Sequence, residues 1–120
     1  MRRTIARRLS ESKQQVPHFY LRMRCALDAL LDARAQLNRR LEEVGHEARL
    51  SINDFVLRGV ALALREVPEA NVSFAGDEMR VYSRIDVSVA VATEGGLVTP
   101  VVRDADRMGL VGLSEEVRAL

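Results

Sequence analysis

The sharpest hydrophobic pattern along the chain runs from Ile85 to Val102, IDVSVAVATEGGLVTPVV. Ile85, Val87, Val89 and Val91 alternate with Asp86, Ser88, Ala90 and Ala92, the period of a strand with one large apolar face and one small or polar face. Thr93-Glu94-Gly95-Gly96 follows, where adjacent glycines permit the positive φ of a tight reversal, and Leu97 to Val102 returns as a second β-branched run. The pattern predicts a strand pair lying deep in a sheet. Beside Ser88, Ala90 and Ala92 it leaves room for another group to approach the backbone.

The preceding segments read as supporting layers. Residues 1–16 form a helical run with Ile5, Ala6 and Leu9 on one thin apolar face and Arg2, Arg3, Arg7, Arg8 and Lys13 around the rest, stopped by Pro17. His18 to Ala26 alternates again, with Phe19, Leu21, Met23 and Cys25 on one side, and predicts a second strand. Asp28 is the expected N-cap of a helix to about Glu43 carrying Leu30, Ala33, Leu37 and Leu41, while Arg34, Asn38 and Glu42 fall toward another face and Gly45 ends it. Ser51 caps a further helix, with Asp54 in its first turn, that is apolar enough to be buried on most sides before Pro68. Asn71–Phe74 and Met79–Tyr82 predict a short hairpin, Arg103–Arg107 a charged surface turn, and Ser114-Glu115-Glu116 the start of a helix running to Leu120. A chain that stops so soon after a helix start is the expected look of part of a domain.

Composition changes this picture in few places. At 120 residues the chain suits one domain with a core. With 18 basic and 17 acidic side chains the net charge of +1 argues for neither a nucleic-acid nor a membrane partner. Lys13 is the only lysine, so nearly all the basic charge is arginine, which reads as the codon bias of a GC-rich genome rather than as an anion-binding device. Cys25 has no internal partner, no secretory leader is recognisable, and no apolar run approaches the roughly 18–20 residues of a membrane span. A reducing, cytoplasmic setting is the expectation.

No self-contained catalytic set emerges from the residues. His18 and His46 lack metal-ligand neighbours, no serine sits in a nucleophile elbow, and Gly95-Gly96 lacks the rest of a phosphate loop, so neither a catalytic nor a metal residue is assigned. His18 suits a sheet edge or a site, His46 an exposed loop, and Cys25 a small core position. Arg34 and Ser51 stand out by geometry, although a surface charge and a helix cap are the stronger readings of them from the residues alone.

Three blocks together carry a family resemblance: ARRLSESKQQVPHFYL (Ala6–Leu21), LSINDFVLRGVALALREVPEAN (Leu50–Asn71) and DVSVAVATEGGLVTPVVRDAD (Asp86–Asp106). In this order they resemble the catalytic domain of the dihydrolipoamide acyltransferases, the core components of 2-oxo acid dehydrogenase complexes. The resemblance implies the chloramphenicol acetyltransferase-like fold, an α/β two-layer sandwich with a mixed sheet and packed helices, of which residues 1–120 are the N-terminal half. It also implies homotrimers that build a larger core with the other components of the complex. Coenzyme A and a lipoamide carried on a lipoyl domain then meet in a channel between subunits, where a histidine base activates a thiol and a hydroxyl stabilises the oxyanion.

Residue by residue, the resemblance gives Arg34 and Ser51 as coenzyme A contacts and His18, Phe19 and Tyr20 as the border of the acyl-acceptor side of the channel. Ala92 stands where some relatives carry an acidic contact. The family's His-x-x-x-Asp-Gly motif is missing, since His18 is followed four residues on by Arg22 and His46 by Leu50. The expectation is an acyltransferase whose base and oxyanion donor lie outside these residues, so that they are inactive alone. A non-catalytic assembly module and a same-fold acyltransferase with another acceptor are the rival readings.

Overall fold

The computed structural model describes residues 2–94 and 96–120. Helix α1, Arg2–Gln15, is followed by an extended segment; α2 spans Asp28–Glu43 and α3 Ile52–Glu66. Short strands β1, Val72–Phe74, and β2, Met79–Val81, precede β3, Val87–Ser88, β4, Val91–Thr93, β5, Gly96–Val98, and β6, Val101–Val102, and α4, Leu110–Ala119, comes last.

The strands form three antiparallel pairs, β1 with β2, β3 with β6 and β4 with β5. The last two pairs are one hairpin in a single register: Val87 faces Val102, Ser88 faces Val101, Val91 faces Val98 and Thr93 faces Gly96. The ladder breaks between them at Pro100, which has no N–H to give, although its carbonyl accepts from Val89 N at 3.0 Å. Gly96 closes the reversal at φ 129°, where a side chain is disfavoured; Gly95 lies outside the described residues. The expected alternation is present, with Ile85 buried, Val87, Val89 and Val91 half-buried, and Ser88, Ala90 and Ala92 exposed. The expected depth is not. The hairpin is two strands wide, and Leu97 remains 59% exposed on it.

The core gathers where α3, α4 and the base of this hairpin meet, from Leu57, Ala61, Ile85, Val102, Ala105 and Leu113. Several expectations change there. α3 buries one face through Asp54, Leu57 and Ala61, whereas Val56, Val60 and Val67 face outward, because only one side of this helix meets α4 and the 105–107 turn. The charged 103–107 stretch is no mere surface turn: Ala105 is fully buried and donates to Ile85 O at 2.9 Å, while Asp104 takes the left-handed conformation at φ 49°. α4 starts a turn earlier than expected, with Gly109 as N-cap, which carries Ser114 into the interior at 1% exposure. α2 is capped by Leu27 without a side-chain bond, and Asp28 is its first helical residue.

The largest correction is His18–Ala26. These residues are extended but form no ladder, and Phe19, Leu21 and Met23 are 82%, 89% and 85% exposed. Alternation specifies which faces a strand would show, but pairing needs a neighbour with free backbone groups, and none lies against this segment among the described residues. Cys25 is accordingly exposed rather than in the core. α1 likewise buries no residue. The Cα radius of gyration of 17.2 Å exceeds the roughly 14 Å of a compact domain of this length, reflecting the unpacked arm.

Candidate functional site

The candidate site is built at the junction of α2 and α3. α2 ends with Val44 as C-cap and Gly45 beyond it at φ 69°; Gly45 donates to Glu42 O at 3.0 Å, and His46 donates to Leu41 O at 2.8 Å. The chain then crosses residues 46–50 and enters α3 through a capping box. Ser51 N donates to Asp54 Oδ2 at 2.7 Å, and Asp54 N donates to Ser51 Oγ at 3.3 Å.

α2 holds this crossing from one side. Asn38 donates through Nδ2 to Leu50 O at 3.0 Å and accepts Leu50 N–H at Oδ1 at 2.7 Å. Arg34, one turn earlier on the same face, reaches the same carbonyl through Nη1 at 3.5 Å, and its buried Nε has no partner. α4 holds the other side, where Arg118 Nη2 donates to Arg49 O and Glu115 lies 3.7 Å from His46 Nε2. His46 is exposed, as expected, and its Nδ1 accepts from Ala48 N at 3.1 Å. That bond places any proton of the neutral ring on Nε2, toward Glu115. An open groove of about 690 Å³ lies against the crossing, lined by Arg34, Asn38, Arg39, Glu42, His46 and Arg49 among others.

Arg34 thus bonds the carbonyl of Leu50, the residue before Ser51, but no hydrogen bond joins Arg34 to Ser51 among the described residues and Ser51 does not line the groove. His18, Phe19 and Tyr20 stay on the exposed arm, where His18 Nδ1 lies 2.5 Å from Val16 O and the Lys13 ammonium sits 4.4 Å from the centre of the Tyr20 ring. No hydrogen bond joins them to Arg34 or Ser51 among the described residues. Sequence reading placed Asn38 on the face of Arg34 but gave it no role; the signal was the spacing of four from Arg34 on one polar face of α2.

The base of the central hairpin is fixed separately. Arg84 forms a bidentate pair with Asp86, Nη2 to Oδ2 at 2.7 Å, and Asp86 Oδ1 accepts Asp104 N at 3.0 Å. The hydrogen bond from Arg84 holds the Asp86 carboxyl below its ordinary range, with a smaller contribution from the Asp104 N–H, and Asp86 in turn raises Arg84. Arg58 of α3 donates to Asp106 O at 2.7 Å and Ala105 O at 3.3 Å, tying the turn below the hairpin to the helix.

Chemically the arrangement offers guanidinium, hydroxyl and amide donors, and no histidine paired with a nucleophile. Among the described residues no cluster of three or more His, Cys, Asp or Glu side chains could hold a metal ion, and no helix is long and apolar enough to cross a membrane.

With that geometry in view, residues 1–120 match the family described as 2-oxoacid dehydrogenases acyltransferase (catalytic domain), and the chain belongs to it. Along its whole length it is 50% identical to the dihydrolipoyllysine-residue acetyltransferase component of the pyruvate dehydrogenase complex of Rickettsia bellii, of which it spans 28%. Its fold is that of a probable dihydrolipoamide acetyltransferase from Listeria monocytogenes, at a TM-score of 0.86 and 30% identity, with 98% of this chain and 50% of that one covered. The cubic core of the pyruvate dehydrogenase multienzyme complex is similar at a TM-score of 0.88 and 26% identity, over 98% of this chain and 49% of the other. The α/β acyltransferase fold expected from the three sequence blocks is the fold found, here represented by helices and three antiparallel strand pairs.

Proposed function

We propose that the protein carrying this chain moves an acyl group between dihydrolipoamide and coenzyme A as the core component of a 2-oxo acid dehydrogenase complex, and that residues 1–120 are the N-terminal half of its catalytic domain. The observation that carries this is identity of 50% across the entire chain with an acetyltransferase component. Acetyl is the acyl group that this relative's name gives, and the likeness to a cubic multienzyme core supports membership of a larger complex, which on this proposal is built from homotrimeric units. A cytoplasmic setting fits the free Cys25.

The division of labour follows from what the chain contains. A thiol must lose its proton to a base and attack a thioester carbonyl, and the resulting oxyanion must meet a donor. These residues supply neither group; they supply binding. The Arg34 guanidinium, with a buried Nε–H lacking a protein partner, suits an anionic or carbonyl oxygen of coenzyme A, and the Ser51 hydroxyl suits its polar pantetheine arm. His18, Phe19 and Tyr20 are assigned to the dihydrolipoamide side.

The test is steady-state kinetics of the full-length protein with acetyl-CoA and dihydrolipoamide. Arg34→Ala should raise KM for the coenzyme roughly tenfold while leaving KM for dihydrolipoamide in place, the signature of lost uniform binding. Unchanged coenzyme kinetics in that variant would remove Arg34 from the site. Residues 1–120 alone should show no acyl transfer, and measurable turnover by them would overturn the assignment of the base to residues elsewhere.

A further inference from the structure

We infer that Asn38 is a positioning residue for coenzyme A, acting through the backbone of Leu50 on both Arg34 and Ser51; this rests on the reading of those residues as coenzyme contacts. A planar carboxamide presents a donor and an acceptor on one edge, matching the C=O and N–H of a single extended residue. Asn38 uses both on Leu50, at 3.0 and 2.7 Å, as a neighbouring strand would. The Leu50 side chain, 2% exposed, anchors the same residue by burial.

Two consequences follow from the position of Leu50. Its carbonyl also receives Arg34 Nη1, so the atom that Asn38 fixes sets where the guanidinium rests and leaves Nε free of protein partners. Its next residue is Ser51, whose N–H is already committed to Asp54, so the start of α3 moves with Leu50. Release of Leu50 therefore displaces both coenzyme contacts together.

The crossing does not depend on Asn38 alone for its existence. Arg118 holds Arg49 O from α4, and His46 holds Ala48 N within the loop. Loss of the Asn38 clamp should thus loosen Leu50 and Ser51 while the fold persists. That separation makes the inference testable.

The experiment uses full-length enzyme with Asn38→Ala and Asn38→Asp beside Arg34→Ala and Ser51→Ala. The Asn38→Asp carboxylate would keep an acceptor for Leu50 N–H but set an oxygen against Leu50 O, so it probes the clamp with little change of volume. Both Asn38 variants should raise KM for coenzyme A about tenfold, with kcat and KM for dihydrolipoamide within about twofold of wild type. In the wild-type enzyme, hydrogen exchange at the Leu50 and Ser51 amides should slow on addition of coenzyme A, a readout that needs no variant. If Arg34→Ala and Ser51→Ala leave the coenzyme KM unchanged, the underlying site reading fails. If they raise it while the Asn38 variants lower only thermal stability or kcat, or if the two amides do not respond to coenzyme A, the positioning role is overturned.

Discussion

Replacing Asp54 by alanine should destabilise the protein far more than replacing its capping partner Ser51. The two bonds of the box are unequal: Ser51 N–H reaches the Asp54 carboxylate at 2.7 Å, whereas Asp54 N–H reaches the Ser51 hydroxyl at 3.3 Å. The first is charge-assisted and the Asp54 carboxylate, in a residue 3% exposed, has a captive donor; a bond of that kind contributes about 1.5–3 kcal/mol. The carboxylate also faces the positive end of α3, adding about 0.3–1 kcal/mol. Alanine regains roughly 0.5 kcal/mol through helix propensity, so Asp54→Ala should cost about 1.3–3.5 kcal/mol. Ser51→Ala loses only the long bond, about 0.5–1 kcal/mol. Under the proposal that the whole domain is about twice this length, each kcal/mol moves Tm by roughly 2–4 °C, which gives drops near 3–14 °C and 1–4 °C respectively. Scanning calorimetry at matched scan rates, with hydrogen exchange in the first turn of α3 as a local check, reads both. Equal losses from the two variants, or a Tm for Asp54→Ala within about 1 °C of wild type, would refute the assignment of the cap energy to the carboxylate.

Further outcomes follow from the hairpin base. Arg58→Ala removes the donor to Ala105 O and the closer of two donors to Asp106 O, leaving Arg65 Nη1 at 3.5 Å, and should cost about 2 kcal/mol in urea unfolding, with faster exchange at the Ala105 amide; a change confined to the surface of α3 would leave that amide untouched. The depressed pKa of Asp86 sets a sign: the unfolded carboxylate binds a proton before the folded one does, so this contribution is present above the ordinary carboxylate range and is lost as pH falls through the lowered folded value. The stability gap between wild type and Asp86→Asn should therefore be full from about pH 5 upward and shrink below about pH 4, measured as urea midpoints across that range; a gap that widens with acid contradicts the ion pair with Arg84.

Much of this architecture was legible because its causes are local. The Ser51/Asp54 box, the Gly45 helix stop and the alternation of Ile85 to Val91 each need only a few adjacent residues, and each appears where the pattern put it. Properties decided by distant partners were not legible. The core position of Ala105 depends on Ile85 O lying ready for its N–H, and the early start of α4 depends on Leu113 reaching the core beside Leu57. Charged neighbours on either side of Ala105 made the turn look solvated. The site divides the same way: Arg34 and Ser51 attracted notice by type and place, while Asn38 matters only because the chain returns Leu50 to it twelve residues later.

The two unlike parts of the chain then serve unlike tasks. Around α3, α4 and the hairpin base, backbone groups are engaged by side chains from other elements, as with Arg58 on Ala105, Asn38 on Leu50 and Asp86 on Asp104. Such cross-links fix the backbone groups they engage, and under the proposed function that order holds the coenzyme-binding donors in place. The arm through α1 and residues 16–27 has no comparable links among the described residues, and it displays Phe19, Tyr20, Leu21 and Met23 at 77–89% exposure. Ordered apolar side chains at that density gain free energy only when another surface covers them. Under the proposed function, the clamped half presents coenzyme A and the arm supplies both the subunit contact and the border of the dihydrolipoamide entrance, so substitutions at Asn38 and at Leu21 should separate coenzyme affinity from assembly.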